Sequence, residues 1–466
     1  MRFNTAVLLA AAASELTAAV PIQDSPRQRL LDGKPLPAKY RKNPPPPYTP
    51  GHRDPYDRAV DAIGQKLDPL PYRNGDGASV LGPWNRERAR QSADLVRPPS
   101  TDHGNMPNLR WSFVDSHMRI EEGGWTRQTT IRELPTSIEL AGVNMRLDEG
   151  VIRELHWHKE AEWAYVLDGS VRITALDYEG GTFMDDLSRG DLWYFPPGVP
   201  HSLQGLSPNG TEFLLIFDDG HFSEESTFLL TDWLAHTPRS VLSKNFRGLP
   251  PEIFAHIPES EKYIFQGTKP GSISHEKPTG EHVKPSKHNF TYRLLSQPAK
   301  NTTGGAVRIA DSSNFPISTT VAAAHLTMAP GSLREMHWHP NADEWSFFIR
   351  GRARVTVFGA EGAARTFDYQ PGDVGIVPKN MGHFVEVVGD EEVEMLEIFR
   401  ADAFRDFSLF QWLGETPRRM VVDTLFAGDK EAGERFLKSI EDAGKDEITL
   451  PPADDDEEEE EEETEL

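Results

Sequence analysis

One metal-binding pattern is written twice along this chain of 466 residues, and that repetition limits the fold before any other feature does. His156, His158, Glu162 and His201 recur as His337, His339, Glu344 and His383, 181 or 182 residues later. Gly150 stands six residues before His156 as Gly331 does before His337, and in both copies the carboxylate and the last histidine are 39 residues apart. Upstream, Gly123, Gly124 and Arg127 match Gly304, Gly305 and Arg308 at an offset of 181. Matched surroundings at one offset mark the duplication of a whole domain of roughly 150 residues. Two similar domains are expected, each burying its own core.

Short apolar alternations dominate both copies. Trp163-Ala-Tyr165-Val-Leu167 and Val171-Arg-Ile173-Thr-Ala175 flank Asp168-Gly169-Ser170, and the second copy repeats this as Trp345-Ser-Phe347-Phe-Ile349 and Ala353-Arg-Val355-Thr-Val357 about Gly351. Such runs on either side of a glycine reversal are strand, turn, strand signals. Residues i and i+2 of a strand face one side, whereas a helix separates them by about 200°. The His-x-His pairs therefore sit on strands with both imidazoles toward one cavity. An all-β fold of two small barrels with peripheral helices follows.

The glutamate lies four or five residues beyond each pair, past a polar bend, and the last histidine arrives from a separate hairpin. Three imidazoles and one carboxylate leave two positions of an octahedral ion open, enough for water, a bidentate ligand or dioxygen. A shell of nitrogen and oxygen suits Mn, Fe, Ni, Cu or Zn. The hard carboxylate and the lack of a soft ligand favour six-coordinate Mn(II) or Fe(II) over tetrahedral structural zinc. The chain has no cysteine, which excludes thiolate ligands, thiol nucleophiles and disulfides.

Arg153 and Arg334 each stand three residues before the first histidine of their set. Three is not an even step on a strand, so an arginine aimed into the site requires a bend or bulge. Its use there is a bidentate grip on a carboxylate or a developing anion. After the first repeat, Asp218-Asp-Gly-His-Phe-Ser-Glu-Glu-Ser-Thr227 is polar and glycine-bearing, suited to a mobile lid whose Glu224 or Glu225 delivers a proton. In the second repeat Glu397 stands where the first has Leu215. The two sites are not expected to share one function.

Residues 1–19 read as a secretory signal, with Arg2, a short apolar stretch from Ala6 to Ala13 and small residues before a break at Pro21. Residues 20–95 form a proline-rich extended arm, 96–248 the first domain, 249–287 the connection, 288–450 the second domain with a helical extension around Ala432 to Ile440, and 451–466 an acidic tail. That tail carries 11 of the negative charges behind a net charge of -24, so it repels itself and reads as disordered, either a solubilising extension or a calcium or surface attachment. No strong basic patch offsets the field, which disfavours nucleic acid, and no later apolar run is long enough to span a membrane. Asn209, Asn289 and Asn301 head glycosylation sequons that matter if the chain is secreted to the extracellular space.

Arg153-Glu-Leu-His-Trp-His158 with Lys159-Glu-Ala-Glu-Trp163, then Arg334-Glu-Met-His-Trp-His339 and the closing Leu396-Glu-Ile-Phe399, resemble the bicupin oxalate decarboxylases, especially the secreted fungal members, over roughly Pro98 to Val422. The resemblance implies two cupin domains, double-stranded β-helix jelly rolls, that convert oxalate to formate and carbon dioxide. It implies two Mn(2+) per chain, held by His156, His158, Glu162 and His201 and by His337, His339, Glu344 and His383. Dioxygen is then a co-substrate without net consumption. Arg153 matches the substrate-orienting arginine and Arg334 its C-terminal counterpart; Glu224 matches the lid glutamate that acts as general acid and base, and Glu397 the glutamate of the second site. Relatives of this kind imply a homotrimer or homohexamer. One departure is Glu225, where the well-studied lid has asparagine. Two other readings stay open: a secreted oxalate oxidase with nearly the same site, and a nonenzymatic bicupin for storage or binding.

Overall fold

The chain is seen in a computed structural model, and the structure describes residues 102–443 and 446–450. The expected signal, arm and acidic tail lie outside the described residues. Strands dominate the remainder, in four sheets that pair into two jelly rolls. Each jelly roll is two facing sheets rather than one continuous hydrogen-bonded ladder.

In the first domain one sheet is built around Val151–Trp157, His201–Gly205, Ser170–Leu176 and Gly181–Ser188, and the other around Leu192–Phe195, Glu162–Asp168, Thr211–Phe217 and Ala141–Leu147. Val143, Ala164, Val166, Ile173, Trp193 and Phe213 fill the space between them. The second domain repeats this with Leu333–Trp338, Gly382–Val387 and Ala353–Phe358 facing Asp373–Val377, Glu344–Arg350, Val393–Phe399 and Ala322–Met328. Here Leu326, Phe348, Val355, Val385 and Met395 form the core.

A third core joins the domains. Trp163, Tyr165, Tyr194, Leu214 and Ile216 pack against Trp345, Phe347, Val374, Ile376, Leu396 and Ile398. This explains why Trp163-Ala-Tyr165-Val and its counterpart Trp345-Ser-Phe347-Phe carry few polar positions: alternate residues face the jelly-roll interior and the neighbouring domain, so both faces are buried. Arg189 of the first domain donates from Nη2 to both carboxylate oxygens of Glu394 of the second (3.0 and 2.8 Å) across this contact.

The chain also crosses between the domains. Arg110–Ser112 lies before the first repeat yet pairs with Asp373–Val377 of the second domain, and Thr291–Tyr292 pairs with Leu192–Phe195 of the first. The first exchanged strand lies inside the span 96–248 and the second just after the division drawn at 288, each capping a sheet edge that would otherwise present unpaired backbone. The stretch 249–287 is more than a connection. Ile264–Gln266 pairs with Val151–Trp157, and Lys284–Pro285 pairs with Gly181–Ser188. The helix Lys430–Ala443 joins Leu409–Glu415 and Arg418–Leu425 in a small cluster through Leu437, Ile440, Val421 and Val422. No helix among the described residues is long and apolar enough to cross a membrane.

The exchanged strand is locked by Arg110, which forms a buried ion pair with Asp373. Arg110→Ala leaves that carboxylate buried without its cation, so the chain should lose about 3–5 kcal/mol. Denaturant unfolding checks it, and an unmoved midpoint would mean the exchanged strand is not held by this pair.

Candidate metal centres and reaction site

His156 and His201 are directly opposed on neighbouring antiparallel strands, and His158 follows the end of the first. Glu162 opens a strand of the facing sheet, so the four side chains converge from both layers. The second set repeats this with His337 opposite His383 and Glu344 opening its strand. In each set all four ligand atoms lie within 4.8 Å of one another, and all eight residues are buried.

Every imidazole is aimed by a backbone carbonyl. His156 Nδ1 meets the Glu154 carbonyl at 2.6 Å, His158 Nδ1 that of Glu160 at 2.7 Å, and His201 Nδ1 that of Val199 at 2.8 Å. In the second set Nδ1 of His337, His339 and His383 meets the carbonyls of Glu335 (2.7 Å), Arg405 (2.8 Å) and Met381 (3.1 Å). A carbonyl only accepts, so each Nδ1 carries the proton and each Nε2 presents its lone pair to the cluster. Trp193 Nε1 donates to Glu162 Oε1 (2.7 Å), and Ser346 Oγ to Glu344 Oε1 (2.5 Å), which turns each Oε2 inward.

The electrostatics of the first site agree with cation binding, and in the second His337 is likewise held low, whereas burial lowers His339 but its contact with Glu344 raises it above the usual range. Burial, then Arg153 and His201, hold His156 well below the usual imidazole range. Burial would raise Glu162, but His201 and His158 overcome it and hold its carboxyl well below the usual range. Neutral imidazoles around an ionised carboxylate are the protonation state a divalent cation needs. Nε2 of His337 is buried with no hydrogen-bond partner, and Nε2 of His201 and His339 meets only Oε2 of its own set's glutamate (3.4 and 3.0 Å), so a cation at the centre takes up ligand atoms that nothing outside each set engages. The residues fit a hexacoordinate ion with two positions left over.

Metal binding should therefore stabilise the fold, by about 2.7 kcal/mol per site when free metal is 100 times its dissociation constant. Thermal unfolding before and after chelation measures this. A melting temperature unchanged after metal removal confirmed by elemental analysis would contradict it.

The bulge required by the arginines is present. Between the pairs His156 with His201 and Arg153 with Leu203, the first strand carries one residue more than its partner. The same shift separates Arg334 with Val385 from His337 with His383. The extra residue restores parity: Leu155 and Met336 turn outward, while Arg153 and Arg334 are buried beside the metal sets.

Beyond this likeness the two arginines differ. Arg334 donates from Nη2 to Asp406 Oδ2 (3.0 Å) and from Nε to Glu397 Oε1 (3.4 Å). Burial pushes the Glu397 carboxyl up to about 7, against the pull of Arg334. Arg153 instead lies over the Tyr263 ring, with Cζ 4.1 Å from its centroid, and donates to the Tyr263 carbonyl at 3.5 Å. No carboxylate forms an ion pair with Arg153 among the described residues. Leu215, at the position of Glu397, gives it none.

Glu224 lies on a one-turn helix, Glu224–Ser226, with Oε2 buried and without a hydrogen-bond partner. Burial raises its carboxyl above the usual range; Arg153 and Arg119 draw it back. Glu225 points outward and is exposed. The adjacent acids differ in burial: Oε2 of Glu224 is buried, whereas Glu225 is exposed. At the root of this segment a Cβ on Gly220 would stand 2.0 Å from the Ser137 carbonyl, so only glycine allows the close approach. Phe222 stacks on Phe217 against the metal site.

Sequence reading missed Glu154, Tyr263 and Asp406. Glu154 gathers three segments: its carboxylate accepts from Thr231 N (3.0 Å), Lys262 N (2.9 Å) and Tyr263 N (2.8 Å), tying the end of the lid and the connection to the metal strand. Asp406 was findable, because Trp157 pairs with Phe228 as Trp338 pairs with Phe407. That match sets Asp406 opposite Thr227. Tyr263 lies outside the repeat and carried no such signal.

The cupin family model matches residues 114–252 and 292–432. The chain is 55% identical over 363 residues to an oxalate decarboxylase of Bacillus subtilis, covering 77% of this chain and 93% of that one. It is 40% identical over 374 residues to a probable oxalate decarboxylase of Arthroderma benhamiae, covering 77% and 91%. A solved Bacillus subtilis oxalate decarboxylase, studied for its Mn(II) centres, superposes with a TM-score of 0.77 at 51% identity, covering 82% of this chain and 99% of that one. With both cupin units matched and both ligand sets assembled, the chain belongs to the bicupin oxalate decarboxylase family.

Proposed function

We propose that this chain decarboxylates oxalate to formate and carbon dioxide at the first-domain site, using Mn(II) and dioxygen. The observation that carries the choice of site is the free cation: Arg153 has no carboxylate partner among the described residues, whereas Arg334 is held by Asp406 and Glu397. The oxalate monoanion, which still carries the proton that Glu224 removes, needs an unneutralised guanidinium, and among the described residues only the first site offers one. The second Mn(II) site is structural or of lesser catalytic weight.

Arg153 grips one oxalate carboxylate and fixes the other toward the cluster. Glu224 takes the substrate proton and later returns it to the carbon that becomes formate; burial places this carboxyl where both transfers are accessible. When bound, Mn(II) with dioxygen supplies a one-electron oxidation of the substrate and its reversal, so dioxygen is not consumed overall. The closed lid, seated by Phe222 and Glu154, keeps bulk water from the reacting carbon. Glu225 is exposed and Asp218 and Asp219 are engaged by backbone N–H groups, which leaves Glu224 as the lid acid with a buried, unpartnered oxygen and favours the lyase over the oxidase.

Manganese-loaded protein given oxalate should yield formate with no net oxygen uptake. Stoichiometric oxygen consumption and peroxide with little formate would assign the oxidase; neither product would assign a binding protein. We further propose secretion to the extracellular space, supported by the N-terminal signal, and glycan attachment at Asn209, Asn289 and Asn301, all exposed. Peptide mass mapping of the exported protein before and after deglycosylation tests both. A homotrimer or homohexamer is supported by two corresponding aromatic patches, Trp157 with Phe228 and Trp233, and Trp338 with Phe407 and Trp412, whose Phe228, Trp233, Phe407 and Trp412 are each more than half exposed. Light scattering showing a monomer would reject it.

A further inference from the structure

Arg153 and Arg334 are each followed by a glutamate, and the two glutamates are used differently. Glu335 keeps Oε1 3.9 Å from Arg334 Nη1. Glu154 is equally near in the chain to a buried guanidinium, yet its carboxylate is engaged elsewhere. Thr231 N donates to its Oε1 (3.0 Å), and Thr231 Oγ1, Lys262 N and Tyr263 N donate to its Oε2 (2.8, 2.9 and 2.8 Å). Glu154 is 2% exposed, so these donors stand in for the water the carboxylate has lost. The nearest acid in the chain is thereby kept from neutralising Arg153.

The same carboxylate shapes Tyr263. Successive amides of Lys262 and Tyr263 converge on one oxygen, as they do in a backbone nest around an anion. Tyr263 has φ at 56°, a left-handed conformation that a bulky residue holds only when its surroundings impose it. Two backbone contacts complete the frame: Glu154 N donates to the Tyr263 carbonyl (3.0 Å), and Ile264 pairs with Arg153. This frame sets both groups that receive Arg153, the ring 4.1 Å from its Cζ and the carbonyl 3.5 Å from its Nη1. The second domain has the same slot, in which Glu335 N donates to the Glu447 carbonyl (3.0 Å) and Ile448 pairs with Arg334. There it holds an acid paired with Lys300 in place of a ring.

We propose that Glu154 is a positioning residue for substrate binding: by holding the Lys262–Tyr263 amides it fixes Tyr263 as the platform that aims the free guanidinium of Arg153 at a carboxylate of oxalate. The inference rests on the oxalate reading above for its ligand. With its oxygens taken by Thr231, Lys262 and Tyr263, Glu154 acts through Arg153, so its effect belongs to KM. Its backbone carbonyl, which aims His156, is untouched by a change of side chain, so manganese content should not move.

The test uses the manganese-loaded full chain. Glu154→Gln keeps the size of the side chain but sets an NH2 group against donors on one side, either Thr231 or the two amides. KM for oxalate should rise about tenfold while kcat stays within about twofold of wild type. In an Arg153→Gln background the same substitution should leave KM where it was, because the group it aims is gone; a merely structural role would raise KM by one factor in both backgrounds. Glu154→Asp keeps the charge at shorter reach and should recover part of the loss, and if Glu154→Gln does not fold, Glu154→Asp compared in the two backgrounds gives the answer in its place. A wild-type KM in the folded variant, or equal rises in both backgrounds, would overturn the role. Wild type without formate would instead overturn the oxalate reading. Calorimetry without dioxygen then still judges Glu154: the dissociation constant for oxalate should rise about tenfold in the variant, and an unchanged value would overturn the proposal.

Discussion

Glu224→Gln should lower the rate of formate production from oxalate by about 100-fold or more. The amide keeps the size of the side chain and removes its ability to take and return a proton. The carboxyl replaced is raised by burial, stands within the fields of Arg153 and Glu162, and keeps Oε2 without a hydrogen-bond partner. The other acids of the lid are placed differently: Glu225 is exposed, Asp218 accepts from Ala161 N (2.9 Å) and Asp219 from His221 N (2.9 Å). Oxidised substrate that is not reprotonated should leave as carbon dioxide, with peroxide as the accompanying product. Formate, peroxide and oxygen measured together give the answer, and formate persisting at the wild-type rate would remove Glu224 from the proton path.

The two arginines should separate catalysis from stability. Arg153→Gln is expected to reduce kcat/KM by about 100-fold, the loss typical of an oriented charge-assisted contact with the reacting group. Its effect on folding should be small, since no carboxylate ion pair is broken. Arg334→Gln should do the reverse. Glu397 and Asp406 would be left with too little positive charge in a buried site, a loss of about 3–5 kcal/mol, while the surviving folded protein retains most of its turnover. Kinetics and denaturant unfolding on both variants check the pair. Equal loss of turnover in the two would mean that the domains share the reaction.

Much of this site was legible in residue order because metal coordination restricts chemistry so tightly. Three imidazoles and a carboxylate at repeated spacing have few other uses, and the period of two in a strand told which of them face together. Even the bulge followed, since Arg153 could not reach the side of His156 without it, and the register shows it. The exchange of Arg110–Ser112 and Thr291–Tyr292 was not legible. Strand pairing across hundreds of residues leaves no local mark, and a two-residue strand carries almost no periodic signal.

The difference between the sites divides along the same line. The repeat, the eight ligands, the all-β architecture and the single acidic lid are properties of local pattern, and local pattern is what a chain displays. Whether an arginine is free or neutralised depends on neighbours that come from distant segments. Asp406 and Glu397 close on Arg334, whereas Tyr263, from beyond the first repeat, supplies Arg153 with a ring and a carbonyl and leaves its charge unspent. Charge compensation is set by distance in space, and folding alone brings those groups within reach.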